Sequence, residues 1–142
     1  MELKIIQHKS PEYDQMVQLR LEILRIPLGL AFTEEQLAKE KDDILIAAFE
    51  EGKIVGCCVL TAHDKDTIQL RQMAVKQDIQ AKGTGKKIVE FAERTAFALG
   101  YSTLMMHARD TALGFYQKCG YEIKGNEFIE VTIPHYVMEK EL

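Results

Sequence analysis

Tryptophan is absent from this 142-residue chain, cysteine and proline occur three times each, and asparagine occurs once, at Asn126. Three cysteines (Cys57, Cys58 and Cys119) cannot all pair within one chain, which argues against the disulfide framework of a small secreted domain. Asn126 does not stand in an N-x-Ser/Thr sequon. Long apolar runs are missing too: Ile44–Phe49 and Ile54–Leu60 fall far short of the roughly 20 residues that cross a bilayer. The N-terminus, Met-Glu-Leu-Lys-Ile-Ile-Gln-His, lacks the apolar core of a secretory leader. Positive charge is not in excess; the formal net charge is −4, so nucleic acid is not the expected main partner. The expectation is a cytoplasmic protein without membrane attachment.

What is present is ordinary globular material, 46% apolar and 28% charged, in a length that suits a single domain over 1–142. Leu3–Ile6 reads as a first strand. Ser10-Pro11 opens a helix, with serine as N-cap and proline at the first helical position, and Tyr13, Met16, Val17, Arg20, Leu21 and Leu24 keep its period as far as Pro27. Thr33-Glu34-Glu35-Gln36 has the form of a capping box for a second, short helix ending near Asp42-Asp43, with Phe32 set to staple onto Leu37. Ile44–Phe49 and Lys53–Ala62 read as a hairpin turning at Gly52, followed by a strand from Thr67 to Val75.

After residues 76–82 comes an amphipathic helix with Ile88, Ala92, Thr95, Ala96 and Leu99 on one stripe and Gly100 as its stop. Thr103–Ala108 is a strand, Asp110 is set to cap a shorter helix through Tyr116 to Cys119, and strands follow at Tyr121–Lys124 and His135–Glu139, with Lys124–Ile133 between them as a loop. This order predicts an α/β fold: a mixed, mostly antiparallel central sheet with one βαβ crossover and flanking helices. Ligands of such sheets gather at the crossover.

The crossover carries Gln80-Ala81-Lys82-Gly83-Thr84-Gly85-Lys86 between a strand and a helix. Two glycines let successive backbone N–H groups point into one concavity, and the helix N-terminus adds partial positive charge, a combination suited to phosphate or pyrophosphate. A plain glycine-bearing loop is the alternative. A dinucleotide fingerprint needs glycine where Ile88 stands, and a P-loop needs glycine at Gln80 and serine or threonine at Lys87, so both fail.

Leu70-Arg71-Gln72-Met73-Ala74-Val75 followed by Gln80-x-x-Gly83-x-Gly85 resembles the core motif of the GNAT N-acetyltransferases, and Ala112-Leu113-Gly114-Phe115-Tyr116-Gln117-Lys118-Cys119-Gly120-Tyr121 is similar to that family's A-x-x-F-Y-x-K-x-G-[FY] segment. The resemblance implies a GNAT-like sheet and acetyl-CoA as cosubstrate, lying between the strand ending at Val75 and the strand Thr103–Ala108. It implies that main-chain groups of Met73 and Val75 hydrogen-bond the pantetheine arm, that a backbone N–H near Met73 or Ala74 polarises the thioester carbonyl, and that the amides of Ala81, Lys82, Gly83, Thr84, Gly85 and Lys86 wrap the pyrophosphate, with Gln80 opening this cofactor-binding motif. Tyr116 matches the family tyrosine that protonates the departing thiolate.

Many family members carry asparagine where this chain has Arg109, so that asparagine's role is not carried over; the arginine is open to contacting the cosubstrate, the acceptor or an acid. For the general base the candidates are His107, Glu130 and His135. No Cys or His pair has zinc-ligand spacing, so no metal is expected. His8 and His63 are read as surface residues. Glu34, Glu35, Glu40, Asp42 and Asp43 are read as a solvated face, with the attraction of a cationic amine as the sharper alternative. The implied reaction is transfer of acetyl to a primary amine of a small molecule by direct attack, in an enzyme compatible with a homodimer. The competing reading is a non-catalytic acyl-CoA sensor.

Overall fold

The computed structural model describes residues 1–78 and 83–142. Among these, seven strands form one sheet: β1 (Glu2–Ile6), β2 (Ile44–Glu50), β3 (Lys53–Ala62), β4 (Thr67–Val75), β5 (Thr103–Arg109), β6 (Glu122–Glu130) and β7 (Ile133–Glu141). They lie in the order β1-β2-β3-β4-β5-β7-β6, and β4 with β5 is the one parallel pair among them. Four α-helices flank the sheet: α1 (Pro11–Arg20), α2 (Glu34–Ala38), α3 (Thr84–Ala98) and α4 (Leu113–Lys118). The mixed, mostly antiparallel α/β architecture is the expected one.

Side-chain alternation divides the core into two layers. Ile46, Cys58, Leu60, Leu70 and Met106 pack beneath Ile88, Val89 and Ala92 of α3. Leu45, Ala47, Cys57 and Val59 pack on the opposite face with Tyr13, Met16 and Leu19 of α1. Cys57 and Cys58 therefore lie on opposite faces, as alternation requires.

Several boundaries differ from expectation. The first helix does not run regularly to Pro27; α1 ends at Arg20 and continues as a π-helical turn, Leu21–Arg25, then a 3-10 turn, Ile26–Leu28. The expected loop Lys124–Ile133 is mostly strand, because β6 runs on to Glu130 and turns in two residues, so Glu130 is a strand end. Sequence periodicity misses β6 because its register slips between Lys124 and Phe128, at the positive-φ Gly125. Asp110 begins a 3-10 turn and does not cap α4, whose N-cap is Ala112. Leu99 leaves the apolar stripe and is 59% exposed as the C-cap of α3. The Thr33–Gln36 capping box forms as expected.

Glu40 is not part of a solvated acidic face. It is 5% exposed, and Arg20 grips both its oxygens at 2.8 and 2.6 Å while the Tyr13 hydroxyl donates at 2.6 Å. His8 is likewise half-buried, with Nε2 2.9 Å from the Leu37 carbonyl and its ring against Tyr13. These contacts tie α1 and the residues before it to α2 and the segment that follows it. Burial alone would raise the Glu40 carboxyl, but the Arg20 guanidinium outweighs it and holds it below the ordinary value of 4.5. A carboxyl lowered by folding contributes stability above its unfolded value and loses that contribution as pH falls through the folded value. Glu40→Ala leaves the Arg20 charge buried and unpaired, and is expected to cost about 3–5 kcal/mol in urea unfolding. The wild type is expected to lose stability as pH drops below 4.5, with a smaller acid-induced loss in Glu40→Gln.

Candidate active site

β4 and β5 pair only from Thr67↔Thr103 to Leu70↔Met106. Past that point β4 carries an extra residue opposite β3: Val59 faces Arg71 whereas Cys57 faces Ala74. Gln72, at φ 54, takes up the insertion. A bulge of this kind bends its strand and shifts the side-chain phase. Leu70 packs on the α3 side before the bulge, and Met73 and Val75 do so after it, while Ala74 turns to the α1 side. The two parallel strands thus part where both remain inside the sheet.

A cleft of about 520 Å³ opens at the split. It is lined by Gln69–Met73 of β4, by Met106–Arg109 of β5, by Tyr116, by Glu130, Val131 and His135 of the β6–β7 hairpin, and by Leu24, Arg25 and Gln36. The three alternative bases prove to be one cluster. His107 Nδ1 is 3.0 Å from Glu130 Oε1, and His135 Nε2 is 3.8 Å from Glu130 Oε2. Phe128 meets the His107 ring edge-on and stacks on the His135 ring.

His135 Nδ1 donates to the Ile133 carbonyl at 2.8 Å, bracing the hairpin turn. Both turn residues, Val131 (φ 51) and Thr132 (φ 63), are β-branched in left-handed backbone, each at a cost on the order of 1–3 kcal/mol. That strained turn sets Glu130 and Val131 against the cleft.

Tyr116 is 6% exposed, wedged edge-on between Phe115 and Tyr121, and also lines the cleft. Burial pushes its hydroxyl well above the ordinary tyrosine value, so it stays protonated. Sequence reasoning missed Arg25, Gln69, Arg71 and Gln72 as cleft residues. Gln69 and Arg71 were detectable as polar residues alternating with Ile68 and Leu70.

Of the other expected residues, Met73 alone among the described ones lines the cleft. A Cβ on Gly85 would stand 3.6 Å from Met73 Cε and 3.1 Å from Phe115 Cζ, so Gly85 permits α3 to approach. Ala74 and Val75 pair with Cys57 and Gly56 of β3 and do not line the cleft wall. Gly83 is the N-cap of α3 at φ 78, Thr84 and Gly85 are buried, and Lys86 is exposed. Gly83 offers no capping side chain, and helix geometry leaves the amides of the first turn without partners inside α3. Amides at a helix start next to an open strand edge suit an elongated thioester that ends in a pyrophosphate. Gln80, Ala81 and Lys82 lie outside the described residues.

Residues 29–142 match the family described as acetyltransferase (GNAT) domain. The chain is 32% identical over 134 residues to the uncharacterised protein YyaT of Bacillus subtilis (strain 168), covering 85% of this chain and 88% of that one. A putative N-acetyltransferase of Lactobacillus plantarum superposes with TM-score 0.84 at 20% identity, over 100% of this chain and 99% of that one. An aminoglycoside 6′-N-acetyltransferase complexed with coenzyme A superposes with TM-score 0.84 at 17% identity, over 99% and 97%. The seven-stranded mixed sheet with its flanking helices is the fold of these solved acetyltransferases. This chain belongs to the GNAT acetyltransferase family and is an acetyl-CoA-dependent N-acyltransferase.

Among the described residues no group of His, Cys, Asp and Glu is arranged to hold a metal ion, and no helix is long and apolar enough to cross a membrane. The thiols stand apart from the cleft wall. Burial pushes the Cys57 thiol up to about 12 and Cys58 well above its ordinary value; Cys119 is partly exposed and raised less. Thiolate is the reactive form. Iodoacetamide at pH 8 is expected to leave Cys57 and Cys58 unmodified in the native protein and to label all three thiols in urea; mass spectrometry of the two samples checks this.

Proposed function

We propose that the protein acetylates a primary amine of a small molecule by direct attack on acetyl-CoA in a ternary complex. The observation that carries this reading is the convergence of Tyr116 with His107, Glu130 and His135 on one cleft at the β4–β5 split. In this reading the main chain at Met73 and Val75 holds the pantetheine arm, and the amides from Ala81 to Lys86 receive the pyrophosphate. In the neutral imidazole of His107 the Nδ1 that faces the Glu130 carboxylate at 3.0 Å carries the donated proton, and Nε2 is the acceptor.

The amine gives its proton to His107 Nε2, with Glu130 orienting the ring and balancing the charge that forms. As the N–C bond forms, a backbone N–H near Met73 or Ala74 stabilises the carbonyl oxyanion. The C–S bond then breaks and the departing sulfur takes the Tyr116 hydroxyl proton; the proton gained by His107 is released to solvent and one from solvent restores Tyr116, so both side chains are reset. The products are an N-acetyl amide and the free thiol of CoA.

Thiol release with a panel of amines, alongside calorimetric titration of acetyl-CoA, tests the reading. Tyr116→Phe and His107→Gln are expected to bind acetyl-CoA normally and to lose about 10²–10⁴-fold in kcat. Full activity in both variants contradicts the assigned roles. A wild type that binds acetyl-CoA yet releases no thiol with any amine supports the sensor reading.

A further inference from the structure

The cleft is basic. Arg25, Arg71 and Arg109 line it, against a single carboxylate, Glu130. The end of the π-helical turn explains how two of them gather. The Leu24 carbonyl, at the negative end of that helical segment, accepts from Arg25 Nη1 at 3.3 Å and from Arg109 Nη2 at 3.2 Å. The Arg25 guanidinium also lies 4.6 Å from the Phe32 ring centroid.

Among the described residues none of the three arginines forms an ion pair, in contrast to Arg20, which is fully engaged by Glu40. Asp43 and Glu40 also interact with Arg71, but both stand outside the cleft wall and Glu40 is held by Arg20. Burial and the neighbouring charges of Arg109, Arg20 and Arg71 disfavour the charged form of Arg25 and outweigh the opposing pull of Glu130. Like charges held together in a half-buried cleft repel one another and favour an incoming anion, and guanidinium forks match the planar oxygens of a carboxylate or the face of a phosphate. Arg71 and Arg109 alternate with the core residues Leu70 and Ala108, so both project on the α1 side, as does His107, away from α3 and its anion-binding end.

We propose that the acceptor amine carries an oxyanion, carboxylate or phosphate, which Arg25, Arg71 and Arg109 hold while the amine meets His107 and Glu130. This rests on the transferase reading above.

The test measures kcat/KM by thiol release for glycine, β-alanine, γ-aminobutyrate and O-phosphoethanolamine, against the matched neutral-tail amines glycinamide and ethanolamine and the polycation spermidine. The expected result is a tenfold or greater preference for the anionic members; the carboxylate and phosphate arms distinguish the two oxyanions. Arg71→Gln and Arg25→Gln are expected to raise acceptor KM tenfold or more and to shrink that preference, with the acetyl-CoA dissociation constant unchanged. Equal or better use of neutral or polycationic amines overturns the proposal. So does the absence of any turnover of anionic members while acetyl-CoA binds, or arginine variants that keep the preference. Failure of acetyl-CoA to bind at all overturns the transferase reading instead.

Discussion

The extra residue in β4 is the constraint on which the rest of the site depends. Without it β4 and β5 would pair along their length and bury their facing backbone groups as a parallel pair does. The insertion at Gln72 ends the pairing at Leu70↔Met106 while β3 still holds the far edge of β4 and β7 still holds the far edge of β5. An opening is therefore cut into the middle of a sheet that is rigid on both sides. One crossover element, α3, begins at that opening, and the hairpin β6–β7 closes over its other side.

Charge is distributed with equal economy. One arginine, Arg20, is consumed by Glu40 and Tyr13 in anchoring α1, and three others remain without carboxylate partners at the cleft among the described residues. The irregular end of α1 produces both outcomes. Its regular part carries Arg20 inward, and the π-helical turn after it exposes the Leu24 carbonyl that gathers Arg25 and Arg109. The strained pair Val131-Thr132 performs a similar service for Glu130, since a two-residue turn fixes the side on which the strand end lies.

The fold was largely legible in the sequence because its signals are local. Ser10-Pro11 and Thr33–Gln36 cap helices through their own backbone neighbours, and Glu50–Lys53 makes a tight turn with Gly52. The glycine-bearing start of α3 was legible for the same reason, since Gly83 and Gly85 act through the main chain and close approach. The cluster across the cleft was not. His107, Glu130 and His135 appeared as three alternatives, because their union depends on β7 inserting between β5 and β6, a long-range pairing that no spacing encodes. Arg25 and Arg109 are 84 positions apart and meet only at a carbonyl. Glu40 looked solvated because its partner Arg20 sits on another helix.

The most direct measurement is amide hydrogen exchange with and without acetyl-CoA. The account predicts slowed exchange concentrated at residues 72–75 and in the first turn of α3, with little change in β1 and β2. Protection confined to the β6–β7 hairpin, or no protection at the strand split under saturating acetyl-CoA, would contradict it.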